Sequence, residues 1–166
     1  MVFRGRDGRM PRAADPGARG FVIEVERNQV DNDDFVLTWT EARDLVQSVE
    51  DAFAAADLTA IAMGFTEDAV ARFADFPEMH GKSEIMAFLT ARFTRTLDYK
   101  LTKKLQVLTG NRLANTWDAS WTDAKTGKSM LGRGTEIWIL RGRRIAIWDA
   151  TFNVWEKGGA PATPVV

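Results

Sequence analysis

Leu113-Ala-Asn-Thr-Trp-Asp-Ala-Ser-Trp121 carries two kinds of residue in strict alternation. Asn115, Trp117, Ala119 and Trp121 share one parity, while Thr116, Asp118, Ser120 and Thr122 share the other. Successive side chains of a strand point to opposite faces, so the segment reads as a β-strand with its tryptophans inward and its hydroxyls and acid outward. Downstream the pattern recurs, with Trp148, Ala150, Phe152 and Val154 opposed to Asp149, Thr151 and Asn153. Between these strands Gly132, Gly134, Glu136 and Trp138 alternate with Arg133, Thr135, Ile137 and Ile139, and parity alone does not say which set faces the core. The two glycines leave space on whichever face they occupy. Turn signals at Gly110-Asn111, Asp123 to Gly127 and Arg141-Gly142 divide everything after Tyr99 into four long strands of a meander.

Upstream the period is helical. Thr38-Trp-Thr-Glu41 has the T-x-x-E form that opens a helix, and Ala42, Leu45, Val46, Val49, Ala52, Phe53 and Ala56 follow at three- and four-residue spacing. Asp57 can cap a short second helix over Leu58 to Met63, ended by Gly64. Val70 to Phe73 reads as a short strand, and a third helix begins after Gly81 with Ile85, Phe88, Leu89 and Phe93 on one side. Helices followed by a meander of antiparallel strands define an α+β domain in which a curved antiparallel sheet lays one face on three N-terminal helices.

Composition narrows the class. The 166 residues suit one domain. Without cysteine, disulfides, thiolate nucleophiles and sulfur-ligated metals are excluded, which suits a cytoplasmic location. A net charge of −1 gives no reason to expect nucleic acid or an anionic membrane as partner. No stretch has the length of a membrane-spanning helix, and the amino terminus lacks the apolar run of a signal peptide. Residues 1–37 form an extension rich in arginine, glycine and proline, read as flexible, with Phe21 to Glu26 as a candidate extra edge strand. Residues 38–157 carry the domain and 158–166 a short tail.

Several words stand in a definite order: Phe65-Thr-Glu-Asp68, His80-Gly-Lys-Ser-Glu-Ile85, Leu97-Asp-Tyr99, Thr109-Gly-Asn-Arg112 and Glu136-Ile-Trp138. With them the segment from Thr40 to Asn153 resembles the nuclear transport factor 2-like superfamily and, within it, the uncharacterised SnoaL-like branch. The resemblance implies a cone of sheet and helices around a deep pocket, frequent homodimers, and Gly132, Gly134, Glu136 and Trp138 on the pocket side. It also exposes departures. The branch usually has an aromatic and a polar residue in its first strand and an acid in its last, where this chain has Ala71, Phe73 and Ala150. The Asp-Arg-Asp set of the limonene epoxide hydrolysing relatives falls on Ala119, Trp117 and Ala150, which cannot perform that chemistry. Steroid isomerase relatives need a tyrosine and two acids in the pocket, whereas the single tyrosine here, Tyr99, stands at a strand entrance.

Glu136 is then the acid expected inside, as an isolated carboxylate among tryptophans whose pKa burial raises, suited to general acid or base work. The alternative is a glutamate held by an arginine or a backbone donor to settle a buried polar position. His80, the sole histidine, is the second catalytic candidate, as a proton shuttle, against the alternative of a turn residue; alone it makes no metal site. Asp75 is a weaker candidate for the pocket rim. Phe73, Trp117, Trp121, Gly132, Gly134, Trp138, Trp148 and Phe152 form the expected ligand-binding wall, the alternative being a filled aromatic core. No cofactor is called for. Three functions follow: a cofactor-independent lyase, isomerase or cyclase on a flat hydrophobic molecule, a binding protein for an apolar ligand, or an assembly domain dimerising through an outer sheet face that includes Ile145 and Ile147.

Overall fold

The computed structural model describes residues 36–160. The extension before residue 36, with its candidate strand over Phe21 to Glu26, and the tail beyond residue 160 lie outside the described residues.

Helix α1 (Trp39–Ala54) opens as the sequence requires, the Thr38 hydroxyl accepting from the Glu41 N–H while the Glu41 carboxylate accepts from the Thr38 N–H at 2.9 Å. Its apolar face buries Ala42, Val46 and Phe53. Asp57 caps α2 (Leu58–Met63) by accepting from the N–H groups of Thr59 and Ala60, both at 3.0 Å. Before α3 (Lys82–Phe93) the chain turns at Gly81, whose φ of 84° lies in the left-handed region that a Cβ disfavours.

Strand β1 (Phe65–Phe73) is longer than the expected Val70 to Phe73, since Phe65 is already paired with Ile145 and both Phe65 and Thr66 are buried. It is followed by the two-residue β2 (Met79–His80), and after α3 come β3 (Thr96–Thr109), β4 (Arg112–Asp123), β5 (Ser129–Arg141) and β6 (Arg144–Glu156). The six strands lie in the order β2-β1-β6-β5-β4-β3. Every neighbouring pair is antiparallel except one. Strand β1 joins β6 in parallel, Ala71 opposite Trp148 and Phe73 opposite Ala150, because the chain between them is long enough to cross back over the sheet.

The inner face carries the parity expected of β4, β5 and β6, with Trp117, Trp138 and Trp148 all under 5% exposed. One residue departs from expectation. Ile145 was assigned to the outer face, yet it is 3% exposed. The register runs from Ile139 opposite Ile147 to Leu140 opposite Ile145, so β6 carries an extra residue, Ala146, at a bulge that interrupts the two-residue period. Ile145 is thereby turned in against Leu45, Val49, Phe53 and Ile61 of the first two helices.

Candidate functional site

Cross-strand register stacks the inner side chains in layers along the cone. Leu113, Trp138 and Trp148 form the innermost layer, followed by Asn115, Glu136 and Ala150, then Trp117, Gly134 and Phe152, then Ala119, Gly132 and Val154. Trp121 and Met130 lie opposite each other at the wide end.

At that wide end, between α3 and the strand ends, is a cavity of about 590 Å³. Its apolar lining comes chiefly from Phe73, Phe76, Phe88, Trp121, Met130 and Phe152. The rings form a connected set, with Phe73 5.1 Å from Phe88 and 4.5 Å from Phe152 between centroids. Three charged side chains reach the same cavity: Arg92 on α3, Arg95 just after it, and Asp123 at the end of β4. Arg95 and Asp123 satisfy each other at 2.6 Å. Against the upward push of burial, hydrogen bonds from the Thr126 and Lys125 N–H groups, the Thr126 hydroxyl and Arg95 hold the Asp123 carboxyl below its ordinary range. Arg92 is held differently. Its guanidinium lies over the Phe73 ring at 5.3 Å and the Tyr99 ring at 5.7 Å, and donates a long 3.4 Å hydrogen bond to the Tyr99 hydroxyl. Burial pushes the Tyr99 phenol above its usual pKa.

Deeper in the cone is a second polar set. Glu136 is 4% exposed, on the inner face as its parity and the Glu136-Ile-Trp138 word required. It is not isolated, which corrects the sequence expectation. Lys103 of β3 donates to its carboxylate at 2.7 Å and the Trp138 indole N–H donates at 2.9 Å. Lys103 is itself buried, with a 3% exposed side chain, and lies over the rings of Phe53 and Trp138. Burial pulls the Lys103 ammonium below its ordinary pKa while Glu136 pulls it back up, the net direction being down. On the same inner sheet face, the Asn115 amide, opposite Glu136, and the indole N–H groups of Trp117 and Trp148 are buried with no protein partner. The signal for Lys103 was present in Leu101-Thr-Lys-Lys-Leu105, where it shares the parity of two apolar residues that prove buried.

Of the expected ligand-binding wall, Phe73, Trp121 and Phe152 line the cavity. Trp138 and Trp148 are packed in the interior below it. Gly132 and Gly134 hold no empty space on the inner side. A Cβ on Gly134 would come within 2.7 Å of the Trp117 ring and 2.5 Å of the Thr151 carbonyl oxygen, and one on Gly132 would come within 3.1 Å of Trp117 and Trp121. The space the glycines release is filled by Trp117, which packs at 5.8 Å against Phe152, itself part of the cavity wall. Neither Glu136 nor Lys103 lines it. His80 lies apart from both sets, on the short edge strand β2, with a side chain 66% exposed whose Nε2 is 3.1 Å from Glu78. Asp75 is an exposed residue of the turn after β1. Sequence reasoning missed Arg92, although its spacing of three and four residues from Leu89 and Phe88 puts it on the apolar face of α3. No group of three or more potential metal ligands occurs among the described residues.

A curved, unclosed six-stranded sheet with helices at its N-terminal side is the nuclear transport factor 2-like α+β cone fold. A family model described as a protein of unknown function (DUF1348) matches residues 36–148, and the chain belongs to that family. No curated protein matches the sequence. Among solved structures, a proposed polyketide cyclase from Xanthomonas campestris pv. campestris is similar, with 19% identity, a TM-score of 0.60, and coverage of 66% of this chain and 88% of that one. An LEH-like epoxide hydrolase of M. tuberculosis has 16% identity, a TM-score of 0.56, and coverage of 69% of this chain and 84% of that one. A ketosteroid isomerase-like protein from Catenulispora acidiphila, in complex with trimethylamine, has 14% identity, a TM-score of 0.59, and coverage of 65% and 84%. At these identities the likeness is one of fold. No helix among the described residues is long and apolar enough to cross a membrane.

Proposed function

We propose that this chain is a small-molecule pocket protein whose ligand is a flat hydrophobic compound held at the mouth of the cone. The observation that carries this reading is the cavity of about 590 Å³ walled by Phe73, Phe76, Phe88, Trp121, Met130 and Phe152, within the size range of drug-like ligand sites and with few polar groups. That structurally similar proteins include a proposed polyketide cyclase and an epoxide hydrolase fits a cone adapted to small organic molecules. Native mass spectrometry of the purified protein tests the reading. An adduct of a hydrophobic small molecule, lost in Val154→Trp because the indole fills the cavity, is the expected result. An adduct that survives Val154→Trp would place the ligand elsewhere.

A second reading, a cofactor-independent proton-transfer enzyme of the lyase, isomerase or cyclase kind, is favoured by one observation. The buried Lys103–Glu136 pair has the unpartnered Asn115 amide opposite Glu136, and the same inner face carries two further unpartnered indole N–H groups, of Trp117 and Trp148. In that chemistry Glu136 takes a proton from a substrate carbon and returns it to a neighbouring atom, with Lys103 stabilising the carboxylate. Substrate would have to displace the Phe73, Trp117 and Phe152 rings to reach it. Glu136→Gln separates the readings once a substrate is known: a rate loss of about a hundredfold or more supports the enzyme, and unchanged turnover removes Glu136 from it.

The same proposal takes the chain to be a homodimer through the outer sheet face, where Ile137 is 51% exposed and Ile147 is half-buried. With Ile145 turned inward, that face is less apolar than the sequence implied. Light scattering after size exclusion decides it, and a monomer at tens of micromolar ends the claim.

A further inference from the structure

Among the cationic side chains of the cone, Arg92 is the one that reaches the cavity without a carboxylate. Arg95 is taken by Asp123 at 2.6 Å and Lys103 by Glu136 at 2.7 Å. Among the described residues no Asp or Glu oxygen lies within ion-pair distance of Arg92, whose polar contact is the long bond to the Tyr99 hydroxyl. The guanidinium is half-buried, fixed by two aromatic faces, and open to the cavity. An arginine offers five N–H donors in a planar fork, and a half-buried one retains donors that only an acceptor from outside the protein can fill. The rings beside it supply flat apolar walls. The other charges near the cavity do not oppose an incoming anion. Asp123 is neutralised by Arg95, and Glu136, which does not line the cavity, is neutralised by Lys103.

We infer that Arg92 is the anion-recognition residue of this cavity and that its ligand is a planar apolar acid, a flat hydrophobic molecule bearing one carboxylate or comparably acidic oxygen. The inference rests on the pocket reading above and names the ligand class for it. The flat body lies against Phe73, Phe88, Trp121 and Phe152, and the anionic oxygens take the guanidinium edge that faces the cavity, while stacking on Phe73 and Tyr99 fixes the plane of the fork. Arg92 therefore sets specificity, and a neutral molecule of the same shape leaves its donors unfilled.

Two fluorescent probes that share the anilinonaphthalene skeleton test this in the full chain: 1-anilinonaphthalene-8-sulfonate, which is anionic, and N-phenyl-1-naphthylamine, which is neutral. The sulfonate stands in for the acid oxygen. Arg92→Gln is expected to weaken the anionic probe by about tenfold, the scale of one charge-assisted hydrogen bond, while the neutral probe changes by less than about twofold. Arg92→Lys keeps the charge and is expected to retain most of the anion preference. Arg141→Gln, which removes a cation paired with Asp68 away from the cavity, is expected to change both probes little. If the wild type binds both probes, Val154→Trp abolishes both, and Arg92→Gln weakens them equally, the pocket stands and the assignment of Arg92 is overturned. If neither probe binds the wild type, or both bind Val154→Trp unchanged, the pocket reading fails and the inference falls with it. Circular dichroism and the neutral probe report together that the variants are folded, so loss of the anion alone cannot be an unfolding effect.

Discussion

The mouth of the cone and its interior are built from the same sheet face and the same residue types, yet one is open and the other is full. At the mouth Trp121, Met130 and Val154 face the end of α3 across a gap into which Arg92 and Arg95 reach. In the interior, Trp117 lies over Gly132 and Gly134, and Phe53 of α1 closes against Trp148 at 6.1 Å between centroids. The charges differ in the same sense. Inside, cation and anion are joined and their alternatives are expensive; at the mouth, a cation is left for something else. An alternation of large and small residues along strands therefore does not distinguish a cavity from a filled core, because a ring can lean over the small neighbour and occupy the space it leaves.

That contrast can be broken most directly at the ion pair. Lys103→Met leaves the Glu136 carboxylate buried with only the Trp138 N–H, and is expected to lower stability to urea by about 3–5 kcal/mol. The double variant Lys103→Met/Glu136→Leu removes both charges and is expected to recover most of that loss. Equal destabilisation by the single and double variants would show that the pair contributes beyond mutual neutralisation. Arg92→Gln at the mouth, with no carboxylate to strand, should change stability by under about 0.5 kcal/mol.

Packing gives the next largest difference. Gly134→Ala forces a methyl group against Trp117 and the Thr151 carbonyl, so a loss of about 1–3 kcal/mol is expected. Val154→Ala, which only enlarges an existing cavity, should lose less. If urea midpoints rank them the other way, Trp117 moves aside readily and the interior is less full than its contacts imply.

Titration sharpens the comparison further. Between the lowered pKa of Lys103 in the fold and its ordinary value of 10.5, the unfolded chain holds a proton that the folded chain does not, so stability rises with pH across that window. Tyr99, with its pKa raised, works in the opposite direction once pH passes its ordinary 10.0, because there the folded state holds the extra proton. The positive slope is thus expected below 10.0 in the wild type and absent from Lys103→Met/Glu136→Leu. An identical pH dependence of urea unfolding in both would mean that Lys103 titrates normally. The smallest effect is expected at His80→Asn on the exposed edge, within about 0.5 kcal/mol and without change in probe binding.

Much of the fold was legible because its signals are local. The Thr38 and Glu41 capping box, Asp57 at the head of α2 and the parity of β4 each state a backbone conformation within a few residues. The ion pair was not legible as a pair, since Lys103 and Glu136 meet across β4, which intervenes between their strands in the sheet. Only the inward parity of each could be read. Ile145 was misplaced because the extra residue Ala146 changes parity without any glycine or proline to mark it. The cavity was the least legible feature. Its walls were partly named in Phe73, Trp121 and Phe152, but whether a ring lines a space or fills one depends on its rotamer, which no period in the sequence encodes.

The parallel pairing of β1 with β6 bears on how the chain is made. Emerging from a ribosome, β1 precedes by a long interval the strand that will hydrogen-bond to it in parallel, so one edge of β1 stays unpaired until β6 arrives. Contacts between such distant segments are slow to form because loop closure must precede the gain. A nascent chain of this topology carries an open strand edge until its last strand is made, and unpaired edges of that kind are where incomplete chains adhere to one another.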